Sequence, residues 1–217
     1  MKKNDVLKGL EEIGLVPVIR TTTHEDALTA ADTLMSCDIP VAKINFNVPD
    51  APLAIKKLKE KYGDDCLVGA GAVTTPDQCW QALNAGCDFV VTPVIIMEII
   101  AMCREEHIAL ACGALTPTEV FAAWSAGADL IKIFPAAAMG GPKYIKKLSA
   151  SLNQIPLSPT GGVTPDNTEE YLRSGARYVG VGSDLISPVM DTDGKRRIYK
   201  QAKRYLSAIG DFKRRQQ

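Results

Sequence analysis

Short apolar runs alternate with longer amphipathic ones along the whole chain, and that alternation predicts its elements. Strands are expected at Leu15 to Ile19, Val41 to Phe46, Cys66 to Gly69, Phe89 to Thr92, Ala109 to Cys112, Leu130 to Phe134, Pro156 to Ser158 and Tyr178 to Val181. Helical patterns fall between them. Several begin with a recognisable start, Thr23-His24-Glu25-Asp26, Thr75-Pro76-Asp77-Gln78, Thr116-Pro117-Thr118-Glu119 and Thr164-Pro165-Asp166-Asn167. In the last three a threonine can cap the helix, proline suits its first position, and an acidic residue complements the helix dipole. A second signature precedes several strands: Asn84-Ala85-Gly86-Cys87-Asp88, Ser125-Ala126-Gly127-Ala128-Asp129 and Arg173-Ser174-Gly175-Ala176-Arg177. Glycine there ends a helix in the left-handed conformation and turns the chain into the next strand. Eight such units of about 25 residues predict an α/β fold, a single-domain (β/α)₈ TIM barrel over residues 1–217.

Composition narrows the function. Hydrophobic residues make up 46% of the 217 and charged residues 23%, enough for one buried core. The 25 basic and 25 acidic residues cancel, so no net field draws the chain to nucleic acid or to a membrane surface, and neither is expected as a partner. No apolar run approaches the roughly 18 residues of a membrane span, and the start of the chain lacks a signal core, so a cytoplasmic protein is expected. The six cysteines form no CxxC pair and lie in or beside apolar segments, which reads as reduced core thiols. His24 and His107 fall on predicted helices without triad or metal-ligand spacing, and neither a metal nor a cofactor is expected. No GxGxxG or Walker sequence is present.

In a barrel of this kind chemistry sits at the C-terminal ends of the strands. The strongest signal there is Leu130-Ile131-Lys132-Ile133-Phe134-Pro135, where one lysine interrupts an apolar parallel strand. With period two, Leu130, Lys132 and Phe134 face the axis and Ile131 and Ile133 the helices. Burying an ammonium costs several kcal/mol unless it is paired or neutralised. Lys132 is therefore either salt-bridged or snorkelling to the mouth, or an amine of lowered pKa that attacks a carbonyl to form a Schiff base. In Val41-Ala42-Lys43-Ile44-Asn45-Phe46-Asn47, the polar residues Lys43, Asn45 and Asn47 share one face, suited either to the barrel interior or to a solvated strand edge. Two glycine turns, Pro159-Thr160-Gly161-Gly162-Val163 and Gly180-Val181-Gly182-Ser183-Asp184, follow strands seven and eight. Glycine lets backbone N–H groups approach an anion, and these loops are the usual phosphate site of the fold. Arg20, just past the first strand, can clamp a carboxylate or phosphate unless it is simply solvated.

Taken together, Val16-Pro17-Val18-Ile19, Gly69-Ala70-Gly71, Thr92-Pro93, Lys132-Ile133-Phe134-Pro135-Ala136, Pro159-Thr160-Gly161-Gly162 and Gly182-Ser183 resemble the family of 2-keto-3-deoxy-6-phosphogluconate (KDPG) and 4-hydroxy-2-oxoglutarate (KHG) aldolases, which includes 6-phosphogalactonate aldolases. The resemblance runs in order over about residues 5 to 210. It implies a homotrimer that cleaves a phosphorylated 2-keto acid to pyruvate and glyceraldehyde 3-phosphate. It makes Lys132 the Schiff-base lysine, Gly161, Gly162, Gly182 and Ser183 the phosphate site, and Thr92, Pro93 and Phe134 pocket residues. Arg20 and Asn47 are similar to the phosphogalactonate branch, whereas Thr160 in its Pro-Thr-Gly-Gly turn is similar to the phosphogluconate branch.

The sequence departs from the family at Lys43, where a proton-shuttling glutamate is expected, at Ala72 for a threonine, and at Cys112 for a proline. All three changes are expected in one pocket. Two ammonium groups about 6 Å apart at an effective dielectric of about 20 repel by roughly 2–3 kcal/mol, so one of Lys43 and Lys132 should be neutral at pH 7. The expectation is an aldolase that still forms an imine but cleaves poorly. The alternatives are a Schiff-base enzyme of changed chemistry, such as 2-oxo-acid decarboxylation, and a non-catalytic binder of phosphorylated metabolites.

Overall fold

A computed structural model describes residues 1–215. The chain opens with α1 (Lys3–Ile13), and eight strands then alternate with helices: β1 (Leu15–Ile19), α2 (His24–Met35), β2 (Val41–Asn45), α3 (Ala51–Tyr62), β3 (Leu67–Gly71), α4 (Pro76–Asn84), β4 (Phe89–Val91) and α5 (Met97–Glu105). The second half repeats the grammar with β5 (Ala109–Ala114), α6 (Pro117–Ala126), β6 (Leu130–Ile133), α7 (Pro142–Ser151), β7 (Leu157–Pro159), α8 (Pro165–Arg173), β8 (Val179–Val181) and α9 (Thr192–Arg214). All strands are parallel, in the order β7-β6-β5-β4-β3-β2-β1-β8. The seam between β7 and β8 is joined by single bridges, Leu157 to Ala176 and Thr160 to Gly180. The result is the expected (β/α)₈ barrel. Among the described residues no helix is long and apolar enough to cross a membrane.

All eight strands lie where the apolar runs predicted them, with no end displaced by more than two residues. β3 runs on through Ala70 and Gly71 because they pair with Ile44 and Asn45 of β2, a ladder that its glycines hide from a hydrophobicity pattern. The capping threonines behave as their sequences imply: Thr75 accepts from Gln78 N–H at 3.2 Å, and the Glu119 carboxylate accepts from Thr116 N–H at 2.7 Å. Gly86, Gly127 and Gly175 have φ of 84°, 107° and 102°, the left-handed conformation their signature requires. His107 lies just beyond α5 with φ of 55° rather than within a helix.

The aspartates of that signature have a structural task the sequence did not show. Asp88 accepts the N–H of Val68 at 2.8 Å, and Asp129 accepts that of Leu110 at 2.9 Å. Each carboxylate satisfies a backbone donor on a neighbouring strand and is paired with a lysine, Lys59 at 2.9 Å and Lys3 at 2.6 Å. Lys3 sits on α1, which packs on β1, β3 and β5 and so crosses the N-terminal end of the barrel. The opposite end is left for the loops.

Bulk on one strand is matched by glycine on its neighbour across the inner face. A Cβ at Gly69 would stand 2.2 Å from the Phe89 ring, and one at Gly180 would stand 2.2 Å from the Thr160 hydroxyl. Gly69→Ala should therefore destabilise the chain by about 1–3 kcal/mol in urea unfolding, as overpacking does. Adding Phe89→Leu should recover part of the loss; an unchanged midpoint for the single variant would mean the ring is not wedged there.

Candidate active site

β6 carries Lys132 onto the inner face because its register places it beside Gly113 of β5 and Ser158 of β7. β2 carries Lys43 to the same face, beside Val18 of β1 and Gly69 of β3. The two amines border one small interior cavity with Val16, Val18, Ser158 and Thr160. Lys43 is 2% exposed and Lys132 4%, so neither snorkels into solvent. A Cβ on Gly71 would lie 2.9 Å from the Lys43 Nζ, so this side chain rises along the barrel to the level of Gly71, the partner of Asn45. Glycine at 71 is what leaves it room.

No salt bridge engages either lysine within the described residues, and the amines respond by losing proton affinity. Burial pushes Lys43 well below the ordinary lysine value, and the charges of Lys132 and Arg20 push it further. Burial and then Arg20 lower Lys132 to about 8. Lys43 is thus held far below an ordinary lysine, and at pH 7 about a tenth of Lys132 is free amine. The Nζ of Lys132 lies 4.8 Å from the centre of the Phe134 ring, close enough for a cation on that nitrogen to be held by the ring face. One pleat above Lys43, the Asn45 Oδ1 is buried without a hydrogen-bond donor among the described residues.

Val18, Thr160 and Gly180 also border a second, larger cleft of about 310 Å³, which opens outward. Its walls bring together Arg20, Phe134, Gly161, Gly162, Gly182 and Ser183. Gly161 and Gly162 have φ of 88° and 80°, and a Cβ at Gly162 would stand 2.2 Å from that of Ala137. Asp184 is the only carboxylate among the residues lining the cleft and the interior cavity. It is bound at 2.7 Å by the Tyr205 hydroxyl and at 2.9 Å by Gln201. No group of three or more His, Cys, Asp or Glu suited to a metal occurs among the described residues.

Three expected pocket residues lie outside the walls of both cavities. Asn47 falls in the exposed turn after β2, not on the strand face of Lys43. Thr92 is fully buried, and its hydroxyl accepts the Gly113 N–H at 3.3 Å. Pro93 packs its carbonyl against Gly113, 2.1 Å from where a Cβ would stand. The expected grouping of three family departures in one pocket is also corrected. Cys112 pairs with Ile131, the neighbour of Lys132 that faces the helices, and is buried on the outer side of the sheet. Conversely, Ser158 and Tyr178 line the interior without having been singled out, since alternation alone does not tell a barrel's inner face from its outer one.

The model of the KDPG and KHG aldolase family matches residues 6–200. The chain is 35% identical over 175 residues to the 2-dehydro-3-deoxy-6-phosphogalactonate aldolase of Escherichia coli (strain K12), covering 80% of this chain and 85% of that one. It is 36% identical over 167 residues to the 2-dehydro-3-deoxy-phosphogluconate aldolase of Haemophilus influenzae, covering 77% and 78%. A crystal structure of the KDPG aldolase of Legionella pneumophila, with pyruvate captured at low pH as a covalent carbinolamine intermediate, superposes with a TM-score of 0.81 at 28% identity, covering 96% of this chain and 98% of that one.

The lowered proton affinity has a sign that stability measurements can read. Between its folded pKa and the ordinary 10.5, each lysine is neutral in the folded chain and charged in the unfolded one. Unfolding then takes up protons, so these groups make stability rise with pH, for Lys132 from about 8 to 10.5 and for Lys43 from a lower starting point. Lys43→Met should be most stabilising, relative to the wild type, at the acid end of this window, and its advantage should shrink as pH rises. A difference that stays flat from pH 6 to 10 would show that Lys43 keeps an ordinary proton affinity in the barrel.

Proposed function

The chain belongs to the KDPG and KHG aldolase family, and from that membership and its paired buried amines we propose a Schiff-base aldolase that cleaves a 2-keto-3-deoxy-6-phospho-sugar acid to pyruvate and glyceraldehyde 3-phosphate. The observation that carries this reading is Lys132, buried at the end of β6, lowered to about 8 and seated over Phe134. The Legionella enzyme's carbinolamine with pyruvate supports the same chemistry.

The free amine of Lys132 attacks the C2 carbonyl, and the carbinolamine loses water to an iminium whose charge faces the Phe134 ring. The C3–C4 bond then breaks toward the iminium, leaving an enamine, while the C4 hydroxyl gives up its proton and departs as the aldehyde. Protonation at C3 and hydrolysis return pyruvate and the amine. In this reading Arg20 holds an anionic end of the substrate and the glycine turns at 161–162 and 182–183 hold the phosphate, which their shared lining of one cleft supports. Thr160 and Phe134 border the path between the turns and the amines. Asn47, Thr92 and Pro93 act from outside the two cavities. The exposed apolar side chains of Trp80, Met97 and Phe121, on the successive helices α4, α5 and α6, support assembly as the homotrimer implied by the resemblance.

Lys43 is the member that limits the rate. As a neutral amine it can accept the hydroxyl proton, but doing so creates a second cation beside the iminium in a buried space, where a carboxylate would have attracted it. Among the described residues no carboxylate lines the cavity beside the amines, which favours one second reading. Loss of carbon dioxide from a 2-oxo acid bearing another carboxylate at C3 also delivers electrons to the iminium, with no hydroxyl proton to remove.

Incubation with pyruvate and borohydride should leave a reduced adduct that peptide mapping places on Lys132. An adduct on Lys43 would move the nucleophile, and no adduct would leave a non-catalytic binder of phosphorylated metabolites. Lys43→Glu should raise the rate of cleavage of the phosphorylated keto acid, within the range of about 10²- to 10⁴-fold that positioned acid–base groups contribute. No gain in that assay would sink the assignment of Lys43 as the limiting group.

A further inference from the structure

α9 presents Arg197, Gln201 and Tyr205 at intervals of four residues, a single stripe along one helix face. All three reach the loop that follows β8. Arg197 donates from Nη2 to the Ser183 carbonyl at 2.6 Å and from Nε to the Asp184 carbonyl at 3.1 Å. Gln201 and Tyr205 bind the Asp184 carboxylate. The Tyr205 oxygen also lies 3.2 Å from the Val163 carbonyl, in the loop after β7. A hydroxyl has one proton to give, and the shorter contact, to Asp184, takes it. One helix thus touches both glycine turns from behind.

These bonds have a directional consequence. In a trans peptide the carbonyl and the following N–H point in opposite directions. Holding the Ser183 carbonyl against α9 turns the Asp184 N–H the other way, toward the cleft that Ser183 and Asp184 line. The first turn is held in the same manner, with the Gly162 carbonyl accepting from Asn167 Nδ2 at 3.0 Å and so turning out the N–H of Val163. The grip on Asp184 matters for a second reason. Its carboxylate lines a cleft built for an anion, and Gln201 and Tyr205 draw that negative charge back toward the helix.

We propose that Arg197, Gln201 and Tyr205 are positioning residues for phosphate: the α9 stripe aims the backbone donors of the turn after β8 into the cleft and withdraws the Asp184 carboxylate from it. The inference rests on reading the glycine turns as the phosphate site, and the test separates the two.

The test measures inorganic phosphate binding by calorimetry on the full chain, alongside the yield of the pyruvate–borohydride adduct at Lys132. Tyr205→Phe keeps the buried ring and removes only the hydroxyl, while Arg197→Lys keeps the charge but loses the fork that spans two carbonyls. Each should weaken phosphate binding by about three- to tenfold, the net effect of one ordinary hydrogen bond, and leave adduct yield unchanged. Full phosphate affinity in both variants overturns the proposal, as does a parallel fall in phosphate binding and adduct yield, which would make the stripe a general support of the fold. A wild type that binds no phosphate overturns it together with the phosphate reading of the turns, whereas phosphate binding without any adduct leaves the stripe's role to be decided by the affinities alone and removes only the role of Lys132.

Discussion

Closing eight short parallel strands into a barrel makes every inner-face side chain compete for one narrow space. The chain meets that constraint by setting glycine opposite bulk. Gly69 makes way for Phe89, Gly180 for Thr160, and Gly71 for the stem of Lys43. The first two fill the barrel. The third does something else: it admits a polar side chain that then rises toward the open end instead of closing the core. Packing at Gly71 and the position of the Lys43 amine are one feature of the molecule.

The same confinement decides the electrostatics. Desolvation is the largest influence on both amines, ahead of their charged neighbours. An isolated ammonium in such a space costs several kcal/mol, and neutralisation is the cheaper outcome where no carboxylate is in reach. Other charges removed from water are treated differently: Asp88, buried, and Asp129, partly buried, at the N-terminal end of the barrel are each paired with a lysine and a backbone N–H. Charge is satisfied at that end of the barrel, whereas Lys43 and Lys132, buried farther along it, have no counter-ion among the described residues. Arg20, on the wall of the cleft, is the cation whose charge reaches both amines.

The outward cleft works on the opposite principle. Its glycine turns expose backbone rather than side chain, and backbone donors are useful only when something fixes their direction. That constraint falls on the helices behind, through Asn167 on α8 and through Arg197, Gln201 and Tyr205 on α9. The last helix is thus tied to the site although none of its residues lines the cleft.

Local chemistry was legible along the chain. The eight strands, the capping threonines, the left-handed glycines before the strands and the lone lysine in Leu130–Ile133 all follow from period, propensity and φ, which neighbouring residues settle among themselves. Lys132, Lys43 and the two glycine turns were found because each breaks a local rule. What lay beyond reach were relations between strands. Whether Cys112 faces the axis depends on ladder register, which placed it on the outer side; Thr92 spends its hydroxyl on the Gly113 N–H of the next strand, and whether Asn47 stays on the strand depends on where β2 loses its partners. The lysine burial that lowers both proton affinities, and the meeting of α9 with the turn after β8, join residues far apart in the chain. The sequence by itself therefore determined the elements, the barrel and the candidate site residues; only the closed tertiary structure decided which side chains share the interior, because facing and burial belong to the ladder and not to the strand.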